Sequence, residues 1–168
     1  LNELPKPTLA LVQGAAFGGG VGLVAACDIV LATPAAKFCL SEVKLGLIPA
    51  VISPYVVAAI GARAARRYCI SAERFDAEQA LQLGLVHEIV PAEALVEAAD
   101  RLTRRLLQNG PQAMAAAKQL VADVSRSPLT AELIADTAER ISVTRASDEG
   151  REGLSAFLQK RRPDWVKG

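Results

Sequence analysis

A run of three glycines, Gly18-Gly19-Gly20, lies in the middle of an apolar stretch that extends from residue 8 to residue 32. The length of this stretch alone is compatible with a membrane-spanning helix. The glycines divide it, however, into apolar runs at 9–12 and 21–26, and each run is far shorter than the roughly 20 residues that a span needs. We therefore interpret the stretch as a buried strand, a glycine turn and a buried helix, and we predict no interaction with a membrane.

The pattern of the 168-residue chain changes along its length. Short apolar runs in the first third predict strands that alternate with helices, as in a βαβ-type unit. The last part lacks strand signals and instead predicts consecutive helices. The predicted strands lie at 8–12, 28–32, 37–40 and 86–90, and the predicted C-terminal helices at 93–108, 111–124, 131–146 and 148–160.

Local signals mark the helices between these two regions. Pro54 lies inside the run 50–60, so we predict a helix that is kinked or broken at the proline. A separate helix is predicted at 62–70. Asp76 and Gln79 form a capping box at the start of a short helix, and Gly84 follows its end.

Composition excludes several classes of function. The formal net charge is +1, which gives no electrostatic reason to expect a nucleic acid as partner. Cys27, Cys39 and Cys69 show no CxxC spacing and are interpreted as reduced, buried thiols of a cytoplasmic protein. His87 is the single histidine, so a histidine-rich metal site is excluded and we predict no bound metal. We expect His87 to lie at a strand end or on the surface.

Three interpretations of the glycine run remain open from the local sequence. Free N–H groups at a helix N-terminus attract phosphates, but no Lys-Ser/Thr pair follows the run, and its spacing does not fit a dinucleotide-binding loop. The glycines would also let a helix pack tightly on a strand. Finally, a backbone N–H at this place can stabilise a developing oxyanion.

Glu42 is the candidate for a catalytic carboxylate in this part of the sequence. It lies in the mostly apolar stretch 38–46. A glutamate in apolar surroundings retains its proton closer to neutral pH, which suits general acid–base catalysis. The alternative is an exposed Glu42 paired with Lys44, and the local sequence does not decide between the two.

Taken together, these motifs resemble the signature of the crotonase (enoyl-CoA hydratase/isomerase) family. The resemblance is carried by Gly14–Gly20 (GAAFGGG), by 26–29 (ACDI), by the stretch 38–49 with Glu42 and GLIP, by 70–86 and by 152–161. These segments follow one another in the order of the family and extend over nearly the whole chain.

The resemblance implies an α/β fold, a spiral of ββα turns that is incomplete at its N-terminus and is followed by a helical trimerisation region. We assign 1–92 to the C-terminal part of the spiral core and 93–168 to the trimerisation region. About a third of the usual length of the family would precede residue 1. A homotrimer or a dimer of trimers is the implied assembly.

The family acts on acyl-CoA thioesters, so the resemblance implies that coenzyme A enters as part of the substrate and that no separate cofactor is needed. The N–H of Gly19 matches one donor of the family's oxyanion hole, and the other donor would come from upstream. Glu42 matches the second catalytic glutamate. The implied substrate contacts are Phe17, Gly18, Gly20, Gly22 and Pro49, with Phe157 and Lys160 reaching the CoA of a neighbouring subunit.

One departure from the family pattern affects the chemistry. Two-glutamate hydratases carry a glutamate where this chain has Gly22. We expect a hydratase in which Glu42 activates water alone, with an enoyl-CoA isomerase or a non-catalytic acyl-CoA-binding protein as alternatives. A second departure is the segment 48–54, where many members of the family have a glycine-rich turn. The version in this chain is similar to a bacterial branch that hydrates branched glutaconyl-type thioesters, methylglutaconyl-CoA or isohexenylglutaconyl-CoA.

Overall fold

The computed structural model describes residues 1–167, and these form two compact units. The first unit consists of Leu1–Asn2 and Thr8–Arg101, and the second of Glu3–Pro7 and the chain from Leu102 onward. The division of roles at residues 92 and 93 stays a prediction. The described residues contain no helix that is long and apolar enough to cross a membrane.

The first unit is α/β and carries short strands and helices in alternation. Its strands are β1 (Leu9–Val12), β2 (Ala15–Phe17), β3 (Ile29–Ala32), β4 (Lys37–Cys39), β5 (Phe75–Asp76) and β6 (Glu88–Ile89). Its helices are α1 (Gly19–Ala25), α2 (Ser53–Ser71) and α3 (Ala77–Gln82), and α4 (Leu95–Leu106) follows.

Successive strands join two different sheets. One sheet has the order β1-β3-β6 and is parallel throughout, whereas the other has the order β2-β4-β5 with β5 antiparallel to β4. Because β1 and β2 are followed by α1, and the next two strands β3 and β4 then pair with β1 and β2, the chain advances in ββα turns. This confirms the spiral fold.

The core of the first unit lies between these strands and α1, α2 and α3. Phe38 and Phe75 stack with ring centroids 5.5 Å apart, and the ring of Tyr68 lies 4.3 Å from that of Phe75. Aliphatic side chains fill the remaining space, among them Val21 of α1 and Val56 of α2, each 1% exposed. This packing fixes α1 against α2, and both helices border the candidate site.

The break in α2 lies at Gly61 and not at Pro54, so the predicted position of the kink is wrong. Pro54 occupies the first turn of α2, where a missing N–H removes no helical hydrogen bond. Gly61 has φ 74° and ψ 155°, a conformation that only glycine adopts without strain. The interruption therefore follows from the glycine.

The second unit contains α5 (Pro111–Arg126), α6 (Ala131–Ala146) and α7 (Asp148–Leu158). The bounds of α6 are those predicted. Helix α7 ends two residues earlier than predicted because Lys160 has a positive φ of 54°. The Trp165 indole N–H donates to the Gln108 carbonyl at 3.1 Å, and its ring lies against Gly153 of α7.

Candidate active site

Gly18 makes the sharp connection from β2 to α1. Its φ of 52° and ψ of −120° lie in a backbone region that is strained for any residue with a side chain. Its N–H donates to the Cys39 carbonyl at 2.8 Å, and its own carbonyl accepts the N–H groups of Val21 and Gly22 at 3.0 and 3.4 Å. Gly18 therefore ties the start of α1 to the end of β4.

The next two N–H groups, those of Gly19 and Gly20, precede the hydrogen-bond ladder of α1. Within residues 1–167 neither donates to any other group. Gly19 is exposed, and a Cβ atom on it would meet nothing within 4 Å, so the described chain does not crowd this residue. Unpaired backbone donors next to open space are suited to bind a negatively charged oxygen.

Glu42 begins a single 3-10 turn, Glu42–Leu45, and its carboxylate lies over Gly18. A Cβ atom on Gly18 would be 3.4 Å from Glu42 Oε1. Glu42 Oε2 is buried and has no hydrogen-bond partner in the described chain. Glu42 also forms no ion pair with Lys44 there, so the alternative of an exposed pair is wrong. A buried carboxylate oxygen without a protein partner is available for water or a substrate.

Cys69 of α2 lies close enough to Glu42 for the charge of the carboxylate to affect the pKa of its thiol. Burial, and after it the negative charge of Glu42, raises the pKa of the Cys69 thiol, so the thiol stays protonated near neutral pH. All three cysteines are free: Cys39 is buried, and Cys27 and Cys69 are half-buried. The Cys39 thiol donates to the Ala72 carbonyl at 3.3 Å, which is a structural role.

Gly22 is buried, and Ile52 covers the side from which a side chain would project. A Cβ atom on Gly22 would be 2.1 Å from Ile52 Cγ2. The space that a glutamate would use in the two-glutamate hydratases therefore holds the Ile52 side chain. The segment 48–54, which contains Ile52, departs from the family pattern, but nothing in its local sequence connects Ile52 with a residue of α1.

Three further residues were predicted to contact the substrate, namely Phe17, Pro49 and Gly20. Phe17 ends β2 directly before Gly18 and is 36% exposed, and the Arg74 guanidinium lies 5.1 Å from the centre of its ring. Pro49 is half-buried, and its carbonyl accepts the Ser53 N–H at 3.0 Å. Gly20 lies in the first turn of α1, where a Cβ atom would be 3.8 Å from that of Ala16.

Phe157 and Lys160 belong to the helical unit. Phe157 lies in the last turn of α7 and is 79% exposed. Lys160 is exposed just beyond the helix, in the left-handed conformation noted above. Both side chains are accessible on the surface of their unit, and their predicted contact with CoA stays a prediction.

His87 stabilises the sheet and takes no part in this arrangement. Its Nδ1 accepts the Val30 N–H at 3.0 Å, and its own N–H donates to the Val30 carbonyl at 2.9 Å. The expectation of a strand-end role is confirmed. Among residues 1–167 no three or more His, Cys, Asp or Glu side chains are grouped to hold a metal ion.

Comparison with known proteins extends over the whole chain. The profile of the enoyl-CoA hydratase/isomerase family matches residues 1–168. The 2,3-dehydroadipyl-CoA hydratase of Escherichia coli (strain K12) is 36% identical over 166 residues, which cover 98% of this chain and 65% of the relative. A putative enoyl-CoA hydratase of Thermus thermophilus is 33% identical over 164 residues, covering 95% of this chain and 62% of that protein.

Solved structures of enoyl-CoA hydratases and related proteins superpose closely on this chain. An enoyl-CoA hydratase from Shewanella pealeana superposes with a TM-score of 0.94 at 52% identity, over 98% of this chain and 61% of that one. Pseudomonas aeruginosa AtuE superposes with a TM-score of 0.92 at 40% identity, over 99% and 64%. The chain thus spans a little under two thirds of the length of these relatives.

Proposed function

The chain belongs to the enoyl-CoA hydratase/isomerase family, and we propose that it serves the addition of water across the double bond of an enoyl-CoA thioester. The observation that carries the proposal is the pairing of free backbone donors with an unpartnered carboxylate. Gly19 and Gly20 offer N–H groups without acceptors in the described chain, and Glu42 beside Gly18 offers a buried oxygen without a donor. The relatives named as hydratases support the same reaction.

In this proposal the Gly19 N–H donates to the thioester oxygen as it gains negative charge. Water adds its oxygen to the β-carbon, the double bond moves to the α-carbon and carbonyl carbon, and an enolate forms. A preorganised donor stabilises that enolate more than the neutral thioester, which lowers the barrier. Removing one such donor typically lowers the rate about 10²–10³-fold. The second donor would come from a segment outside this chain.

Glu42 alone can balance the protons of this reaction. Its carboxylate accepts a proton from the water as the new C–O bond forms at the β-carbon. The resulting carboxylic acid then returns a proton to the α-carbon of the enolate, and the carboxylate is restored. One water is consumed, one C–O and one C–H bond form, and no cofactor is required because CoA enters with the substrate. General acid–base help of this kind contributes about 10²–10⁴-fold.

The remaining predicted contacts fit this arrangement. Phe17, Gly18, Gly20 and Pro49 would line the thioester and acyl group. Gly22 would contribute through Ile52, which covers it.

We assign Phe157 and Lys160 to the CoA bound by a neighbouring subunit of a homotrimer or dimer of trimers. Exposed apolar side chains on α6 and α7 support an assembly, namely those of Ile134, Ile141, Phe157 and Leu158. The free cysteines support a cytoplasmic location.

Gly22 favours a second candidate within the same family. An enoyl-CoA isomerase moves a double bond with one proton shuttle and no added water, and a single Glu42 is sufficient for that. The glutaconyl-type acyl groups suggested by 48–54, and the dehydroadipyl group in the name of the Escherichia coli relative, make carboxylated enoyl-CoA thioesters the first substrates to examine.

The test is turnover by the full-length protein. Crotonyl-CoA, 3-methylglutaconyl-CoA and 2,3-dehydroadipyl-CoA would each be followed by the absorbance of the conjugated enoyl group. Hydration is expected with at least one of them, and no loss of absorbance with any would contradict it. A Δ3-enoyl-CoA substrate that gains absorbance would instead identify the isomerase.

Glu42→Gln preserves the shape of the side chain and removes its basicity. We expect kcat to fall about 10²–10⁴-fold with an unchanged melting temperature. Glu78→Gln, an exposed carboxylate on α3, is the matched control and should retain wild-type activity. Full activity of the Glu42→Gln protein would contradict the mechanism.

A further inference from the structure

Ile52 lies so close to Gly22 that a side chain at position 22 would clash with it. A Cβ atom on Gly22 would lie 2.1 Å from Ile52 Cγ2 and 2.6 Å from Ile52 Cβ, far inside van der Waals contact. Ile52 immediately precedes α2, whose core residues pack against α1, and its branched Cβ restricts rotation. An isoleucine at 52 therefore requires a glycine at 22.

Glu42 and Ile52 lie against two neighbouring positions at the start of α1. The Gly22 N–H donates to the Gly18 carbonyl at 3.4 Å, so the two glycines are one helical turn apart. Glu42 covers the first position and Ile52 the second. Ile52 is half-buried, so part of its side chain remains accessible.

We propose that Ile52 determines the acyl specificity of this site and, by occupying the space over Gly22, keeps Glu42 its single carboxylate. The proposal rests on the proposed function. An acyl chain whose β-carbon reaches Glu42 meets a branched, apolar surface one helical turn further along. Ile52 limits the bulk of a substituent there, and a polar substituent finds no hydrogen-bond partner on this side chain.

The contact is tested first by stability, independently of activity. Gly22→Ala should lower the melting temperature by several degrees, because Ile52 has to be displaced. Gly20→Ala is the matched control in the same helix, where the new Cβ makes only an ordinary 3.8 Å contact. In an Ile52→Ala background the effect of Gly22→Ala should largely disappear. An equal effect in both backgrounds, or none in either, would refute the contact.

Specificity is tested by kcat/KM for crotonyl-CoA, 3-methylcrotonyl-CoA and an enoyl-CoA with a larger β-substituent. Ile52→Ala should raise the kcat/KM of the bulkiest substrate relative to crotonyl-CoA by about 10-fold or more, chiefly through KM. Ile70→Ala, the same substitution at a position that is 70% exposed on α2, should leave the ratio unchanged.

The outcomes separate the two proposals. An unchanged ratio in an active Ile52→Ala protein would refute the role of Ile52 and leave hydration intact. No turnover by the wild type with any enoyl-CoA would refute the proposed function, and the specificity role with it, while the melting data would still decide the contact.

A second carboxylate provides an independent readout. Gly22→Glu alone should lose stability and activity, whereas Gly22→Glu with Ile52→Ala should recover the fold and gain an additional ionisation in the pH profile of kcat/KM. A stable, active Gly22→Glu single variant would contradict the proposal.

Discussion

Replacing Gly18 by alanine adds a single methyl group, which should affect both the stability of the fold and the candidate site. The residue has φ 52° and ψ −120°, and holding a side-chain-bearing residue in such a conformation costs about 1–3 kcal/mol. Alanine also lowers the conformational entropy of the unfolded chain, which offsets about 0.4–1 kcal/mol of this cost. The net expectation is a loss of about 1–2 kcal/mol in the free energy of unfolding.

The added methyl group would also touch the Glu42 side chain. Its carbon would lie 3.4 Å from Glu42 Oε1 and 3.7 Å from Ser41 Oγ, which is van der Waals contact and limits the positions open to the carboxylate. We expect kcat to fall as well, because acid–base catalysis depends on the placement of the proton acceptor.

Thermal unfolding followed by circular dichroism measures the first effect, and a fall of the melting temperature by about 2–8 °C is expected for a chain of this size. Gly20→Ala is the control for stability: it lies inside α1 with φ in the ordinary range, so the higher helix propensity of alanine should preserve or raise the melting temperature. A Gly18→Ala protein as stable as the wild type would refute the reasoning.

Two further predictions concern other parts of the chain. Asp76→Ala removes the acceptor for the Gln79 N–H at 2.9 Å and should lower the free energy of unfolding by about 1 kcal/mol, whereas Asp100→Ala, on the exposed face of α4, should not; equal melting temperatures would contradict the cap. The hydrogen bond from Arg161, supported by the Asp164 N–H, lowers the pKa of Glu152 from 4.5 to about 2. Because the folded-state pKa lies below the unfolded value, this contribution is present above about pH 4.5 and is lost as the pH falls towards 2. Melting temperatures of Glu152→Gln and wild type should therefore converge over that window, and a constant difference would contradict it.

Much of the fold was predictable where the decisive signals are local. The N-cap at Asp76 and the bounds of α6 follow from residues within a few positions of each other. The reciprocal bond of a capping box is not formed at Asp76, because the Gln79 side chain donates to Gln82 instead. Strand β2 was missed because Ala15–Phe17 is only three residues long, and its extended conformation depends on pairing with Lys37–Cys39. The kink was misplaced because a proline is harmless in the first turn of a helix, whereas the interruption at Gly61 falls between the helices predicted at 50–60 and 62–70.

The candidate site was predictable only in part. The roles of the glycine run and of Glu42 were assigned through the resemblance. Their proximity depends on the contact between the end of β4 and the start of α1. Ile52 was not predicted, because its contact with Gly22 joins residues thirty positions apart. Only packing, which no short pattern encodes, reveals that the Ile52 side chain, just before α2, fills the space in front of Gly22.

The interruption at Gly61 makes the two halves of α2 separate mechanical parts. The dihedral angles of Gly61 leave the helical range, so the two halves can pack against different neighbours. The half that starts after Ile52 contacts α1, and the half that carries Cys69 lies near Glu42. We expect substitutions in the first half to leave the helical register after Gly61 unchanged.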